Sequence, residues 1–276
     1  MTEITESYVA ENVKNILSKP LENYSSKEAC KFALSIIDLT TLEGSDTDKK
    51  VIDLCTKAKS FCEKGKDIPN VAAVCVYPPF VKIAKQQLKE TNINVASVAG
   101  AFPSGQSPIE VKLAEIKYAI DEGADEIDMV ISRGKFLEGK YDEVSDEIFK
   151  IKKVCGNVHL KVILETGELL TPANIRKASD MAIEAGGDFI KTSTGKINPA
   201  ATPEAVFVML EAIKDHYKKT GKKIGIKPAG GISNVNSAMN YLKLVNAVLG
   251  KEWMNPHLFR LGASRFADAV LEEILK

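Results

Sequence analysis

The chain has 276 residues, of which 45% are hydrophobic and 27% charged, the proportions of an ordinary soluble globular protein. Its 37 basic and 37 acidic side chains cancel to a formal net charge of zero, which excludes a general attraction to nucleic acid or anionic membrane, and no apolar run approaches the ~20 residues of a membrane span. The five cysteines form no C-x-x-C pair and His159, His216 and His257 lack ligand spacing, so neither a disulfide framework nor a zinc site is suggested and only carboxylates are left to build a metal site.

Residues 1–30 read as a polar helical extension, broken at Pro20 and carrying a capping sequence at Ser25-Ser26-Lys27-Glu28. Its start has neither an apolar h-region nor a cleavage-type site, so no secretory or transit peptide is expected, and a cytoplasmic location with reduced thiols follows by default. From residue 31 to 276, short apolar runs alternate with longer amphipathic stretches, the pattern of βα units around a parallel sheet. Strands are predicted at 35–39, 71–77, 94–99, 126–131, 159–165, 189–192, 223–228 and 259–262, with helices at 47–64, 80–90, 108–122, 142–154, 172–185, 203–218, 234–249 and 265–275. Eight such units predict a single-domain α/β fold, a (β/α)8 TIM barrel behind a short helical N-terminal extension. A doubly wound sheet would more often show five or six strands and a G-x-G-x-x-G turn after the first, which is absent here.

Helix ends are legible along the way. Ser107-Pro108, Thr171-Pro172 and Thr202-Pro203 each set a capping hydroxyl before a proline suited to the first helical turn. Glu122-Gly123 and Ala185-Gly186-Gly187 close helices with residues that accept positive φ.

Alternation along the strands assigns the polar residues. With Ile37 and Leu39 facing the helices, Asp38 faces the barrel interior; by the same count Asp128, Lys191 and Lys227 also point inward. These two acids and two lysines converge on the C-terminal mouth, where they form either a structural ion-pair network or a catalytic constellation. After Lys191 comes Thr192-Ser193-Thr194-Gly195-Lys196, a hydroxyl-rich turn with a second lysine that suits a phosphate. It is not a P-loop, because Ile190 and Ile197 stand where that motif needs a glycine and a hydroxyl. Glycine turns at 228–233 and 262–264 lie after the seventh and eighth strands, the sector in which barrel enzymes often hold phosphate. No histidine falls at the C-terminal end of a predicted strand, His159 standing at the start of the fifth and so on the opposite face, which argues against Ser/His/Asp hydrolysis.

Three motifs are specific: DFIKTSTGK at 188–196, KPAGGI at 227–232 and LKVILETGEL at 160–169. DLTTL at 38–42, VCVYPPF at 74–80, ADEIDMVI at 124–131 and RLGAS at 260–264 support them. Through these, over about residues 31 to 275, the chain resembles the class I deoxyribose-phosphate aldolases. The resemblance implies a barrel enzyme that needs no metal or cofactor. Its reaction would be the cleavage of 2-deoxy-D-ribose 5-phosphate to acetaldehyde and D-glyceraldehyde 3-phosphate in deoxyribonucleotide catabolism. It implies Lys191 as the Schiff-base lysine, Asp128 with Lys227 as a proton relay, and Asp38 as a substrate-hydroxyl and network residue. Cys75 would line the pocket, Lys196 would contact phosphate or substrate, and Gly195, Gly230, Gly231 and Ser264 would cradle the phosphate. A homodimer would follow by family analogy, with a small phosphorylated sugar as the partner molecule and neither nucleic acid nor membrane. Two features depart from some members: Arg265 stands in place of a second serine, and residues 272–276 stand in place of a tail ending in tyrosine.

A lysine of ordinary pKa is only ~0.04% neutral at pH 7, so a nucleophilic Lys191 requires a depressed pKa. Repulsion from Lys227 on the next strand is expected to be a main cause. A phosphate-binding isomerase that uses Asp128 and Lys191 without a covalent intermediate is one alternative reading; a non-catalytic phospho-sugar sensor is the other.

Overall fold

The computed structural model describes residues 4–263 and 266–276, so Ser264 and Arg265 of the expected phosphate cradle lie outside the described residues. Eight strands, β1 (Ile37–Thr40), β2 (Ala73–Val76), β3 (Asn94–Ala99), β4 (Glu126–Val130), β5 (His159–Ile163), β6 (Phe189–Lys191), β7 (Gly225–Lys227) and β8 (Leu261–Ala263), form one sheet. Every laddered pair is parallel, in the order β7-β6-β5-β4-β3-β2-β1-β8. The two ends meet through single bonds rather than a ladder: Ile226 N–H donates to the Leu258 carbonyl (2.9 Å), Arg260 N–H to Ile226 (3.0 Å) and Gly262 N–H to Pro228 (2.9 Å). The expected barrel is thereby closed.

Twelve α-helices accompany the strands among the described residues: α1 (Glu6–Leu17), α2 (Ser26–Ser35), α3 (Asp48–Ser60), α4 (Val81–Gln87), α5 (Ile109–Asp121), α6 (Arg133–Leu137), α7 (Tyr141–Cys155), α8 (Thr166–Leu169), α9 (Pro172–Glu184), α10 (Pro203–Thr220), α11 (Val235–Leu249) and α12 (Phe266–Leu275). The short α6 and α8, which the apolar pattern does not predict, follow β4 and β5 on the mouth side. Residue 30 falls inside α2, whose Ala29, Cys30, Ala33 and Leu34 enter the same core as the strands, while α1 packs on α10 and α11. Ser35, predicted as strand, ends that helix, and β1 begins at Ile37. β5 stops two residues short of its predicted end because Glu165 takes a left-handed conformation (φ 56°) that turns the chain into α8. None of the described helices is long and apolar enough to cross a membrane.

Strand alternation divides the interior as expected. Ile37, Leu39, Val74, Val76, Ile127, Met129, Leu160, Val162, Ile190 and Ile226 face the helices and join the large outer core. Inside the barrel a separate apolar cluster forms from Leu42, Cys75, Ala96, Val98, Phe102, Val130 and Ile163. The caps are mostly those foreseen. Ser25 and Glu28 make a reciprocal capping box at α2, Thr171 Oγ1 accepts from Asn174 N–H (3.2 Å), and Thr202 Oγ1 accepts from Ala205 N–H (3.1 Å). At α5 the expectation fails. Pro108 itself, with an extended backbone (ψ 148°), occupies the cap position, the helix starts one residue later, and Ser107 caps nothing.

Candidate active site

The barrel axis is filled by ions, not only by the apolar cluster. Asp128 on β4 is fully buried, and its Oδ2 accepts from Lys191 Nζ on β6 (2.7 Å) and from Lys227 Nζ on β7 (2.7 Å). Lys191 and Lys227 are register partners, which sets their amines side by side at the strand ends. Lys227 Nζ also lies 2.5 Å from Asp38 Oδ2 on β1. All four residues predicted to point inward are therefore brought together.

Three members of the network were missed in the sequence. Lys161 on β5 donates to Asp128 Oδ1 (2.7 Å) and lies 2.5 Å from Glu126 Oε2; Arg260, just before β8, bonds Asp38 Oδ1 (2.7 Å) and Glu126 Oε1 (2.7 Å). The signal was present: Glu126 stands two residues before Asp128, and Lys161 alternates with Leu160 and Val162. The same rule that assigned Asp38 assigns them.

The electrostatic consequences differ among the lysines. Burial pushes the Lys191 ammonium below the ordinary lysine range; Asp128 opposes that shift and Lys227 adds to it. Burial works the same way on Lys227, yet Asp128 and Asp38 together overcome it and hold Lys227 above the ordinary value. Asp128 is kept well below the usual carboxylate range, because Lys161, Lys191 and Lys227 outweigh its own desolvation. Repulsion from Lys227 is thus one cause of the depressed Lys191 pKa, but burial is the larger, since two carboxylates already neutralise Lys227.

Above the network opens a cavity of about 690 Å³ walled by Lys191, Thr194, Gly195, Lys196, Lys227, Gly230, Gly231 and Gly262, with Thr40, Thr41 and Leu42 opposite. Lys191 and Lys227 form part of its wall, whereas the buried Asp38 and Asp128 do not. Cys75, expected on the pocket wall, is buried in the inner apolar cluster instead, and burial pushes its thiol up to about 11. Lys196 reaches the rim, where its Nζ is 3.0 Å from Glu43 Oε1. Gly195, Gly230 and Gly231 all adopt positive φ (80°, 77° and 74°). At Gly230 a Cβ would also lie 2.7 Å from that of Ala200 and 3.2 Å from the Gly195 Cα. The two glycine turns are therefore packed against each other with backbone alone at the contact.

A further buried carboxylate, Glu165, shapes the Lys191 turn. Glu165 Oε1 accepts from Thr194 N–H (3.1 Å) and Oε2 from Thr194 Oγ1 (2.5 Å) and Arg133 (3.0 Å), so the turn after β6 hangs on residues after β4 and β5. Thr192 Oγ1 in turn accepts from Ala229 N–H (3.0 Å), tying it to the glycine turn after β7. Among the described residues no group of three or more His, Cys, Asp or Glu side chains is arranged to hold a metal ion.

Chemically, this is a buried amine biased toward its free base, opening on a cavity that carries cations and glycine turns. Known proteins share both the fold and the sequence. The chain is 47% identical over 255 residues to deoxyribose-phosphate aldolase from Homo sapiens, covering 88% of this chain and 79% of the human protein, and the Bos taurus enzyme matches equally well, at 47% over 255 residues. A solved deoxyribose phosphate aldolase from Aeropyrum pernix superposes with a TM-score of 0.73 at 26% identity, covering 95% of this chain and 98% of that one. The model of the DeoC/LacD family aldolases matches residues 32–249. The chain belongs to the DeoC/LacD aldolase family.

Proposed function

We propose that the chain cleaves 2-deoxy-D-ribose 5-phosphate reversibly to acetaldehyde and D-glyceraldehyde 3-phosphate through an imine on Lys191. The observation that carries this reading is the buried Lys191 amine, shifted toward neutrality and facing a cavity that has Lys196 and glycine turns in its wall. Its identity to the human and bovine deoxyribose-phosphate aldolases supports the substrate.

Neutral Lys191 Nζ adds to the C1 aldehyde, and the resulting carbinolamine takes up one proton and loses water to leave an iminium. Removal of the C3 hydroxyl proton lets the C2–C3 bond break, with its electron pair drawn into the iminium to form an enamine. D-glyceraldehyde 3-phosphate departs, C2 takes up a proton, and hydrolysis releases acetaldehyde and the free amine. Asp128 Oδ2, 2.7 Å from Lys191 Nζ, stabilises the positive charge that appears on this nitrogen, and its second contact with Lys227 offers a short path for protons. Lys196 and the turns at Gly195 and Gly230-Gly231 would hold the phosphate through its charge and their backbone N–H groups. Asp38 acts from beneath, by fixing Lys227.

Borohydride reduction tests the reading. With acetaldehyde or substrate present, borohydride should fix a reduced imine on Lys191, located by peptide mass spectrometry, and abolish activity. An isomerised sugar phosphate as product, with no acetaldehyde and no trapped adduct, would favour acid-base isomerisation, and an adduct on another lysine would displace Lys191 from its role. For the surrounding biology we propose a role in deoxyribonucleotide catabolism. The five unpaired cysteines, four of them buried, fit a reducing compartment such as the cytoplasm. A homodimer is proposed on the exposed Val111, Tyr118 and Phe149 of the adjoining α5 and α7; sedimentation of a monomer would overturn it.

A further inference from the structure

The buried network has an odd charge count. Asp38, Glu126 and Asp128 supply three carboxylates, while Lys161, Lys191, Lys227 and Arg260 supply four basic groups, and none of the seven is more than 3% exposed. Three of the bases each meet at least two carboxylates: Lys161 meets Glu126 and Asp128 closely and Asp38 at 4.0 Å, Lys227 meets Asp38 and Asp128, and Arg260 meets Asp38 and Glu126. Lys191 meets Asp128 alone, on an oxygen it shares with Lys227.

A buried net charge is costly, so the interior is neutral only if one base gives up its proton, and the base with the fewest anionic partners gives it up most readily. We propose that Lys161, which touches neither the cavity nor Lys191, is a positioning residue that keeps Lys191 a free amine by occupying the charge balance of the barrel interior. The proposal rests on the reading of Lys191 as the imine-forming amine.

The surroundings allow the count to be closed. β3 faces the interior with no charge, since Ala96 and Val98 point there and the Asn94 amide donates to Glu126 (2.8 Å). β2 contributes the Cys75 thiol, which burial keeps protonated. β8 contributes Leu261, Gly262 and Ala263, which do not ionise. At the mouth, Glu165 is balanced by Arg133 (3.0 Å) and Lys196 by Glu43 (3.0 Å). The directions agree with the count: Lys161, Lys227 and Arg260 are shifted toward their charged forms, the three carboxylates likewise, and Lys191 alone toward its neutral form.

Removing Lys161 leaves three carboxylates against three bases, a balance that is met only with Lys191 protonated. In K161M the acid limb of imine formation should therefore move to higher pH by about one unit or more. The measurement is the rate of borohydride trapping of acetaldehyde on Lys191 as a function of pH. K161R, which keeps the charge, should restore the limb. The decisive variant is K161M/E126Q, which removes one charge of each sign and should return the limb toward the wild-type position despite carrying two buried changes. A limb unmoved in K161M, or displaced as far in the double variant as in the single, overturns the proposal. If K161M does not fold, E126Q alone decides: its limb should move to lower pH, and a limb unchanged or raised sinks the idea. Failure of wild-type protein to form any Lys191 adduct would instead remove the aldolase reading itself.

Discussion

Lys191 and Lys227 are the same residue type at the same height on neighbouring strands, yet their environments drive them apart. Lys227 sits between two carboxylates and stays charged; Lys191 has one, which it shares, and burial tips it toward the amine. This pair defines a test at the scale of single residues. Replacing Lys227→Met removes a cation beside Lys191 and also frees Asp128 Oδ2 to serve Lys191 alone, and both changes favour the Lys191 ammonium. The lysine pKa rises, so less free amine is present at neutral pH. Imine formation should fall at least ~10-fold at pH 7, as a shift of one unit implies, with partial recovery as pH is raised. Single-turnover trapping across pH would show it. A loss that alkali does not restore would assign Lys227 to proton shuttling alone.

At the scale of elements, the site is assembled by turns tied to one another rather than by any single motif. The turn after β6 hangs on Glu165 and on the turn after β7, and Gly195 lies directly against Gly230. Gly230→Ala is strained twice, by φ of 77° and by a Cβ placed 2.7 Å from that of Ala200. The turn has to shift by a few tenths of an ångström, which displaces backbone N–H groups from a bound phosphate without touching Lys191. We therefore expect KM for the phosphorylated substrate to rise roughly 10-fold, equivalent to ~1.4 kcal/mol, while acetaldehyde trapping on Lys191 is unchanged. Equal effects on both would place the Gly230 turn in support of the lysine rather than of the phosphate.

At the scale of the whole molecule, the ionic interior makes stability depend on pH. Asp38, Glu126 and Asp128 have folded pKa values depressed below those of the unfolded chain, so the stability they contribute is fully present above the unfolded value and is lost as pH falls through the folded ones. Lys161 and Lys227 have raised values, so their contribution is present below the unfolded lysine value and is lost as pH climbs through the folded ones. The denaturant midpoint should fall on the acid side below about pH 4, where carboxylates of the unfolded chain take up protons. It should climb rather than stay flat as pH approaches the unfolded lysine value, because Lys191, with its depressed value, sheds a proton on folding that the unfolded chain keeps. Chemical unfolding monitored at several pH values measures this. A midpoint that does not change from pH 6 to pH 3 would show that the buried carboxylates add nothing to stability.

Strand alternation alone assigned Asp38, Asp128, Lys191 and Lys227 to the interior, because a barrel strand must show apolar side chains to its helices and has only one other face for charges. The eight-unit order, the caps at Ser25, Thr171 and Thr202 and the glycine turns were readable for the same local reasons. Tertiary structure decided what depends on neighbours far apart in sequence. It showed that Lys161, Glu126 and Arg260 complete the network, that Glu165 leaves β5 in a left-handed turn to hold Thr194, and that Cys75 packs in the inner apolar cluster rather than on the cavity wall. It also ranked the causes acting on Lys191. A pattern along one strand says which way a side chain points, but a pKa is set by the charges it meets and the water it loses, and for Lys191 the charges come chiefly from Asp128 on β4 and Lys227 on β7, not from β6 itself.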